Sequence, residues 1–360
     1  MSWLGLREAG GGVFSPGGLE RRTRPVVDLG SVLPRGSLML ELSLVPAQGT
    51  QVLLDFAATA PWPARMRVSV DGAGLLTLSH QSGQRAVRQT LDLGQFARTD
   101  EVTIIYTWDT ALRQAVLSVD TGGEDGPVFR AVAAPLPLSL RDAARLMTDQ
   151  RAARLAPEVR FAALADHVMP LGPLPTLGAE TRLATPDGQR AISTLRPGDL
   201  VSLAEGGKSQ VRWVGWADLP ARGHHETLRV MAPFYGAARD LICARGQRLT
   251  LDGADVEYLF AAPRVACHVG HLSVGTALMQ AVPRRVMRYW QLALDRPGAV
   301  LAGGLAIEPL DVARIRETPG LLSRSVLAGV PGELLPRAAR SGTPVLGAVE
   351  TRALCSLRAA

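Results

Sequence analysis

The sequence predicts a mainly β protein built from two parts. Segments that alternate apolar and polar residues recur at spacings of about ten residues between Ser37 and Asp120, a pattern typical of an antiparallel sandwich. The 37 glycines and 25 prolines are spread along the 360-residue chain, which favours many turns and few long helices. A hydrophobic content of 47% with 20% charged residues indicates folded globular structure, long enough for two domains.

The charge pattern argues against a nucleic-acid partner. The formal net charge is +6, and Lys208 is the only lysine among 39 basic residues. No run of five basic residues occurs, and most arginines stand singly between other residues. A nucleic-acid footprint would instead be clustered.

The cysteines and the N-terminal residues exclude several other classes. Cys243, Cys267 and Cys355 form no CxxC pair and no zinc-type spacing, so we expect neither a metal nor a cofactor on them. The opening residues MSWLGLREAGGG lack the basic region and apolar core of a signal peptide. No apolar run approaches the roughly 18 residues of a transmembrane helix. The predicted location is therefore cytoplasmic, or external by a signal-independent route.

The first part, residues 1–137, is expected to be a β-sandwich behind a loose arm. Residues 1–35 are rich in Gly, Pro and Arg, which favours an arm with at most one edge strand. Its predicted strands are Ser37–Val45, Gln51–Phe56, Met66–Val70, Leu75–His80, Val87–Leu93, Glu101–Trp108 and Gln114–Asp120. The arrangement resembles concanavalin-like or laminin-G-like sandwiches, although it contains no motif specific to either.

Three aromatic residues of this part leave two interpretations open. Trp62, Tyr106 and Trp108 could form a platform that stacks on a sugar ring, which would make the sandwich a glycan-binding domain. Alternatively, they are core or rim aromatics of the sandwich, as large aromatic side chains commonly are.

The intervening residues 138–175 are predicted to be a helical and linker segment. Leu138–Gln150 has helical spacing with Ser139 as a candidate N-cap. Arg151–His167 is also apolar at every third or fourth residue, which favours a second helix. Met169–Pro175 then indicates an extended linker.

The second part opens with the most specific pattern in the chain, TLGAETRLATPDGQRAISTLRPGDLV. Its strands, Arg182–Thr185 and Asp199–Leu203, flank a PDG turn and an LRPGD turn. Further short strands are predicted up to Leu294 and around the turns that follow. Residues 313–360 form a partly helical C-terminal extension whose role the sequence does not indicate.

This opening resembles that of the Hint domain, the self-processing module of hedgehog proteins and inteins, in its bacterial form. That form begins with a cysteine shortly before G-T-x-I-x-T-x-D-G and L-x-x-G-D-x-V runs. The matching residues are Thr181, Leu183, Thr185, Asp187, Gly188, Leu195, Gly198, Asp199 and Val201. Three later blocks are also similar, namely Gln210–Gly215, Ala237–Leu251 and Leu292–Leu310. The resemblance predicts an all-β Hint-like domain over residues 176–312.

The resemblance also implies where the chemistry would lie and why we expect it to be lost. Relatives use a cysteine to attack the preceding carbonyl and a histidine to protonate the departing amide nitrogen. Here Thr176 stands at the cysteine position and Gln247 at the histidine position, while Gln291 replaces a further histidine. We therefore expect these catalytic positions to be inactive, and the domain to serve as a scaffold or interaction module for an unidentified protein or glycan partner. Slow cleavage between Pro175 and Thr176 by an N–O acyl shift is the alternative.

Two histidines near the second block were the remaining candidates for chemistry. His268 and His271, in the HVGH sequence, could reach Thr176 or bind a metal together with Cys267. The alternative is that they are surface or partly packed histidines. His224 and His225 are expected to be solvated in a polar loop.

Overall fold

The structure is a computed structural model that describes residues 1–20, 28–46, 48–94, 99–123, 125–272, 278–280, 283–335 and 342–359. The chain divides into two compact units, Met1–Leu171 and Gly172–Ala360. Both consist mainly of antiparallel strands, as predicted.

The first unit contains fourteen described strands and one described helix. The strands are β1 (Trp3–Glu8), β2 (Gly11–Phe14), β3 (Val32–Leu33), β4 (Arg35–Leu44), β5 (Gln51–Ala58), β6 (Ala64–Val70), β7 (Leu75–Ser82), β8 (Arg85–Asp92), β9 (Thr99–Asp109), β10 (Gln114–Asp120), β11 (Val128–Ala133), β12 (Leu138–Ser139), β13 (Ala153–Leu155) and β14 (Val159–Ala165). The helix is α1 (Leu140–Thr148). All seven strands predicted between residues 37 and 120 are present.

Two sheets form a sandwich in this unit, as predicted. One has seven strands in the order β11-β10-β9-β4-β14-β1-β2, and the other has five in the order β13-β5-β6-β7-β8. A single hydrophobic core joins side chains of both sheets, including Leu40 and Ile104 from the first with Val68 and Leu76 from the second. Alternate residues of β6 are buried, in keeping with the period-two pattern of its sequence.

The start of the chain is not a loose arm over the described residues. Strand β1 pairs with β14 on one side and with β2 on the other, and Trp3 is fully buried. The sequence prediction of at most one edge strand was wrong, because β1 lies inside the larger sheet and five of its six residues are buried.

The prediction of helix over Arg151–His167 was also wrong. This stretch contains β13 and β14, and β14 lies between β4 and β1 inside the larger sheet. Six of its seven residues are buried, with Arg160 the exception. A strand buried on both faces has a continuous apolar sequence rather than an alternating one, so its periodicity cannot be distinguished from that of a buried helix. The preceding helix α1 was predicted correctly, and the Ser139 hydroxyl accepts a hydrogen bond from the Asp142 backbone at 3.0 Å.

The three aromatic residues do not form a common platform. Tyr106 and Trp108 are buried, with ring centroids 5.5 Å apart, and the Trp108 indole donates to the Leu33 carbonyl at 3.1 Å. Trp62, by contrast, is 72% exposed. Tyr106 and Trp108 are therefore core residues that no sugar ring can reach.

The second unit contains the remaining described strands and three described α-helices. The strands are β15 (Leu177–Gly178), β16 (Arg182–Thr185), β17 (Gly188–Ala191), β18 (Leu200–Ser202), β19 (Lys208–Pro220), β20 (Thr227–Val230), β21 (Leu241–Ala244), β22 (Arg248–Asp252), β23 (Arg264–His268), β24 (Leu278–Gln280), β25 (Val286–Leu294), β26 (Val300–Ala302), β27 (Leu305–Ile307) and β28 (Val345–Leu346). The helices are α2 (Ala254–Phe260), α3 (Val312–Glu317) and α4 (Ala348–Ala359).

Two sheets again organise this unit. Their orders are β18-β19-β25-β15-β21-β20-β24 and β17-β16-β26-β27-β22-β23-β28. In the first of them, the two-residue strand β15 pairs with the long strand β25 and with β21. This position brings the start of the unit between two strands that come later in the chain.

The C-terminal residues are part of the second unit's core. Strand β28 pairs in parallel with β23, and Leu354 and Cys355 of α4 are buried in the same hydrophobic cluster as the strands. The Arg358 guanidinium binds the Asp255 carboxylate at 2.6 Å. The role of residues 313–360 that the sequence left open therefore includes covering one side of this core.

No helix in the described part of the chain combines the length and the apolar character needed to cross a membrane.

Candidate functional site: a buried threonine and glutamine cluster

The fold brings together three polar residues that are far apart in the sequence. Thr176 immediately precedes β15, Gln247 lies in the turn between β21 and β22, and Gln291 lies within β25. Because Leu177 is paired with both Cys243 and Trp290, the residue before it lies beside the turn and beside β25. The same pairing of β15 with its two neighbours places all three side chains in one buried site.

The three side chains form a continuous hydrogen-bonded cluster. The Thr176 hydroxyl donates to Gln247 Oε1 at 2.5 Å, and Gln291 Nε2 donates to Thr176 Oγ1 at 3.1 Å. The exposed fractions of Thr176, Gln247 and Gln291 are 7%, 2% and 3%. Buried polar groups are stable only when they are hydrogen-bonded, and here each of the three satisfies the others.

Backbone groups fix the orientation of both glutamines. Gln247 Nε2 donates to the carbonyls of Arg248 and Glu308 at 2.7 and 3.0 Å, which leaves its Oε1 facing Thr176. Gln291 Oε1 accepts from the Leu292 backbone at 3.1 Å, so its Nε2 also faces Thr176. A carbonyl accepts and never donates, so these contacts determine which end of each amide meets the hydroxyl.

The turn that carries Gln247 is held on both sides. The Gln247 backbone N–H donates to the Ala244 carbonyl at 3.0 Å, and the Ala244 N–H donates to the Thr176 carbonyl at 2.7 Å. The Val269 N–H donates to the Gln247 carbonyl at 2.8 Å. The position of Gln247 therefore follows from backbone contacts to the residue before β15 and to the residue after β23.

The cluster contains no group that exchanges a proton near neutral pH. Within the described part of the chain, both hydrogen bonds of Thr176 Oγ1 are to glutamine amides, and an amide is neither a base nor an acid in water. The carboxylate of Glu308 instead pairs with Arg248 Nη1 at 3.5 Å. Burial raises the pKa of Glu308, against the effect of Arg248, which lowers it. The geometry thus supplies hydrogen bonds to the hydroxyl but no base that could remove its proton.

The cysteines lie in the core and have little thiolate at neutral pH. Burial raises the pKa of Cys243 and of Cys267 to about 12. Cys267 belongs to the hydrophobic cluster, whereas the next residue of β23, His268, points to the opposite face, as successive strand residues do. Cys267 and His268 therefore do not face one common metal, so the structure does not support that one of the two alternatives.

Four histidines form a second polar group, which the sequence analysis did not bring together. The ring centroids of His224 and His268 are 5.7 Å apart, those of His268 and His271 are 5.4 Å apart, and those of His224 and His225 are 5.2 Å apart. His225 is only 5% exposed, so the expectation of a solvated loop was wrong for it. The pairing of Arg248 with His268 across β22 and β23 depends on strand register, which the spacing of the HH and HVGH sequences does not reveal.

Comparison with known proteins identifies the second unit. Residues 175–313 match the family model of the Hint domain, in agreement with the resemblance found in the sequence. A search of curated protein sequences returns no match.

Solved structures similar to parts of this chain include two of the intein type. The gp41-1 intein is 14% identical, with a TM-score of 0.26 over 37% of this chain and 97% of its own. The bacterial intein-like domain from Clostridium thermocellum is 14% identical, with a TM-score of 0.28 over 38% of this chain and 99% of its own. The CBM40 of the Ruminococcus gnavus IT-sialidase is 12% identical, with a TM-score of 0.25 over 37% of this chain and 64% of its own. Similarities this low carry no information about activity.

Proposed function

Because residues 175–313 form a Hint-type domain, we propose that this domain no longer processes its own chain and serves as a scaffold or interaction module. The cluster of Thr176, Gln247 and Gln291 takes the place of a reaction centre. It holds the segment that enters the domain, and it does so with neutral groups alone.

The observation that carries the proposal is the environment of the Thr176 hydroxyl. An attack on the Pro175 carbonyl requires the hydroxyl to lose its proton to a base and to direct a lone pair at the carbon. Its proton is directed at Gln247 Oε1 and its oxygen accepts from Gln291 Nε2. Both partners are amides, so neither proton removal nor protonation of the leaving nitrogen has a titrating residue in the cluster.

The replacements act together rather than separately. A threonine hydroxyl is a weaker nucleophile than a cysteine thiolate at neutral pH, and a glutamine cannot replace a histidine as a general acid. Groups that act as one catalytic unit lose most of the rate when any member is lost. Two such replacements in one cluster therefore support a domain that acts through its folded surface and not through catalysis.

The test is the mass of the purified full-length chain after prolonged incubation with and without hydroxylamine, which cleaves esters and thioesters. We expect the full-length mass in both samples, and the same result for Thr176→Ala. Fragments that end at Pro175 and begin at Thr176, present in the wild type and absent in Thr176→Ala, would establish the N–O acyl shift and overturn the proposal.

A further inference from the structure

Four of the six histidines of the chain lie in one group in the second unit. They come from three elements: His224 and His225 from a single turn before β20, His268 from the end of β23, and His271 from the turn that follows it. None of them takes part in the cluster around Thr176. Such convergence of imidazoles from separate elements is the usual way in which a protein builds a site for a transition metal.

The spacing of the rings agrees with a shared ion. Two imidazoles on one tetrahedral zinc, with Zn–N distances of about 2.0–2.1 Å, have ring centroids roughly 5 Å apart. The observed separations are 5.7 Å between His224 and His268 and 5.4 Å between His268 and His271. His224 and His268 also offer ring nitrogens within 4.8 Å of each other. His271 does not lie within that distance of both other rings, so its side chain has to rotate before one ion can contact all three.

The contact between Arg248 and His268 identifies the ring nitrogen that can bind the ion. Arg248 Nε donates to His268 Nε2 at 3.3 Å, so the lone pair of the neutral ring is on Nε2 and its proton is on Nδ1. A metal at His268 would therefore bind Nε2 and replace this contact. The guanidinium of Arg248 keeps its ion pair with the Glu308 carboxylate at 3.5 Å.

His225 adds a second observation at the same place. It is 5% exposed, and its Nδ1 is buried without a hydrogen-bond partner in the described part of the chain. A buried imidazole nitrogen without a partner beside His224 is a polar group that the fold itself does not satisfy.

We propose that His224, His268 and His271 bind one divalent transition-metal ion of the zinc, cobalt or nickel class. The remaining coordination position is taken by water. This proposal does not depend on whether the domain processes itself.

A metal at this position would stabilise the turn that carries Gln247. The Gly246 N–H donates to the His224 carbonyl and the Gly270 N–H donates to the Arg245 carbonyl, both at 2.9 Å. The proposed ligands thus lie on both sides of Ala244–Gln247. An ion that joins these ligands would fix the turn on the side of the histidines, in addition to its hydrogen bonds with Thr176.

The experiment is a titration of the metal-free full-length protein with Co²⁺, followed by visible absorption, and with Zn²⁺, followed by calorimetry. We expect one ion per chain, visible bands of nitrogen-ligated Co²⁺ without an intense thiolate charge-transfer band, and a higher unfolding temperature with Zn²⁺. His224→Gln and His268→Gln should each weaken binding at least about tenfold, whereas His167→Gln, which removes a histidine of the first unit, should bind as the wild type does.

Several outcomes would overturn the proposal. One is that the wild type binds no ion, and another is that bound Co²⁺ shows a thiolate band. The others are that His224→Gln and His268→Gln bind as tightly as the wild type, or that His167→Gln loses binding. Circular dichroism establishes whether each variant is folded. If His268→Gln is not folded, His224→Gln and His271→Gln decide the question, since both lie in turns rather than in a strand.

Discussion

Replacing Gln247 by leucine measures what the buried cluster contributes to the stability of the second unit. Leucine is similar in size and keeps the site filled, but it removes all polar atoms of the side chain. The Thr176 hydroxyl loses its acceptor, and the carbonyls of Arg248 and Glu308 lose their donor. Each of these groups then lies in a site from which water is excluded.

The expected cost follows from those three hydrogen bonds. A typical intramolecular hydrogen bond contributes about 1 kcal/mol net, and a buried group left unsatisfied costs about 1–3 kcal/mol. Three lost bonds therefore predict a decrease of about 3 kcal/mol in the free energy of unfolding. Because Gln247 is only 2% exposed, solvent does not replace the missing partners.

The assay is urea denaturation of the full-length chain, with Gln189→Leu as the matched control. Gln189 is an exposed residue of β17 in the same unit, so the same change there should alter the free energy of unfolding by less than about 0.5 kcal/mol. A decrease below about 1 kcal/mol in Gln247→Leu, or one equal to the control, would refute the interpretation that the cluster is a closed hydrogen-bonded unit. Thr176→Val combined with Gln247→Leu should cost less than the sum of the two single changes, since both remove the same bond.

Three further predictions concern the chemistry of individual residues. Thr176→Cys combined with Gln247→His should recover hydroxylamine-sensitive cleavage that thiols accelerate, seen as fragments by mass spectrometry; no cleavage in a folded double variant would mean that the site geometry no longer supports the reaction. Cys243 and Cys267, with pKa values of about 12, should resist iodoacetamide in the folded chain at neutral pH and react fully in urea; rapid labelling in native conditions would contradict their burial. Burial lowers the pKa of His80 to about 4, so the unfolded chain, with a pKa near 6.5, binds the proton first as the pH falls, and roughly 2 kcal/mol of stability is lost between about pH 7 and pH 5. Unfolding of His80→Leu over this range should show a loss smaller by about that amount, and an unchanged loss would contradict the shift.

Strands with one buried face were predictable from the sequence because their patterns state the face directly. Strands β6 and β7 bury residues at every second position, and their predicted and observed limits differ by only a few residues. Strand β14 was not predicted for the opposite reason, since six of its seven residues are buried and its apolar residues do not alternate with polar ones. Strand β1 failed because its partner β14 was itself assigned to a helix.

For the candidate site, the sequence predicted which residues belong to it but not the contacts that they make. The positions of Thr176, Gln247 and Gln291 were identified through the resemblance of three blocks. Their hydrogen bonds depend on the pairing of β15 with both β21 and β25, which no local pattern specifies. The histidine group was missed because its members converge through two turns and one strand register. The short HH and HVGH segments do not specify which distant residues lie beside them. The sequence alone therefore favoured solvated or isolated histidine side chains.

The strand order of the first unit has a consequence for how that unit forms during synthesis. Strand β14 is the last of its strands to be made, yet it lies between β4 and β1, and Trp3 is paired with Ala165. Until residue 165 has left the ribosome, β1 and β2 have no sheet to join, and one edge of β4 remains open. Contacts between residues so far apart in the chain also form slowly. Completion of the sandwich therefore coincides with synthesis of the residues that lead into the Hint domain, and exposed edges of this kind are what chaperones cover in the meantime.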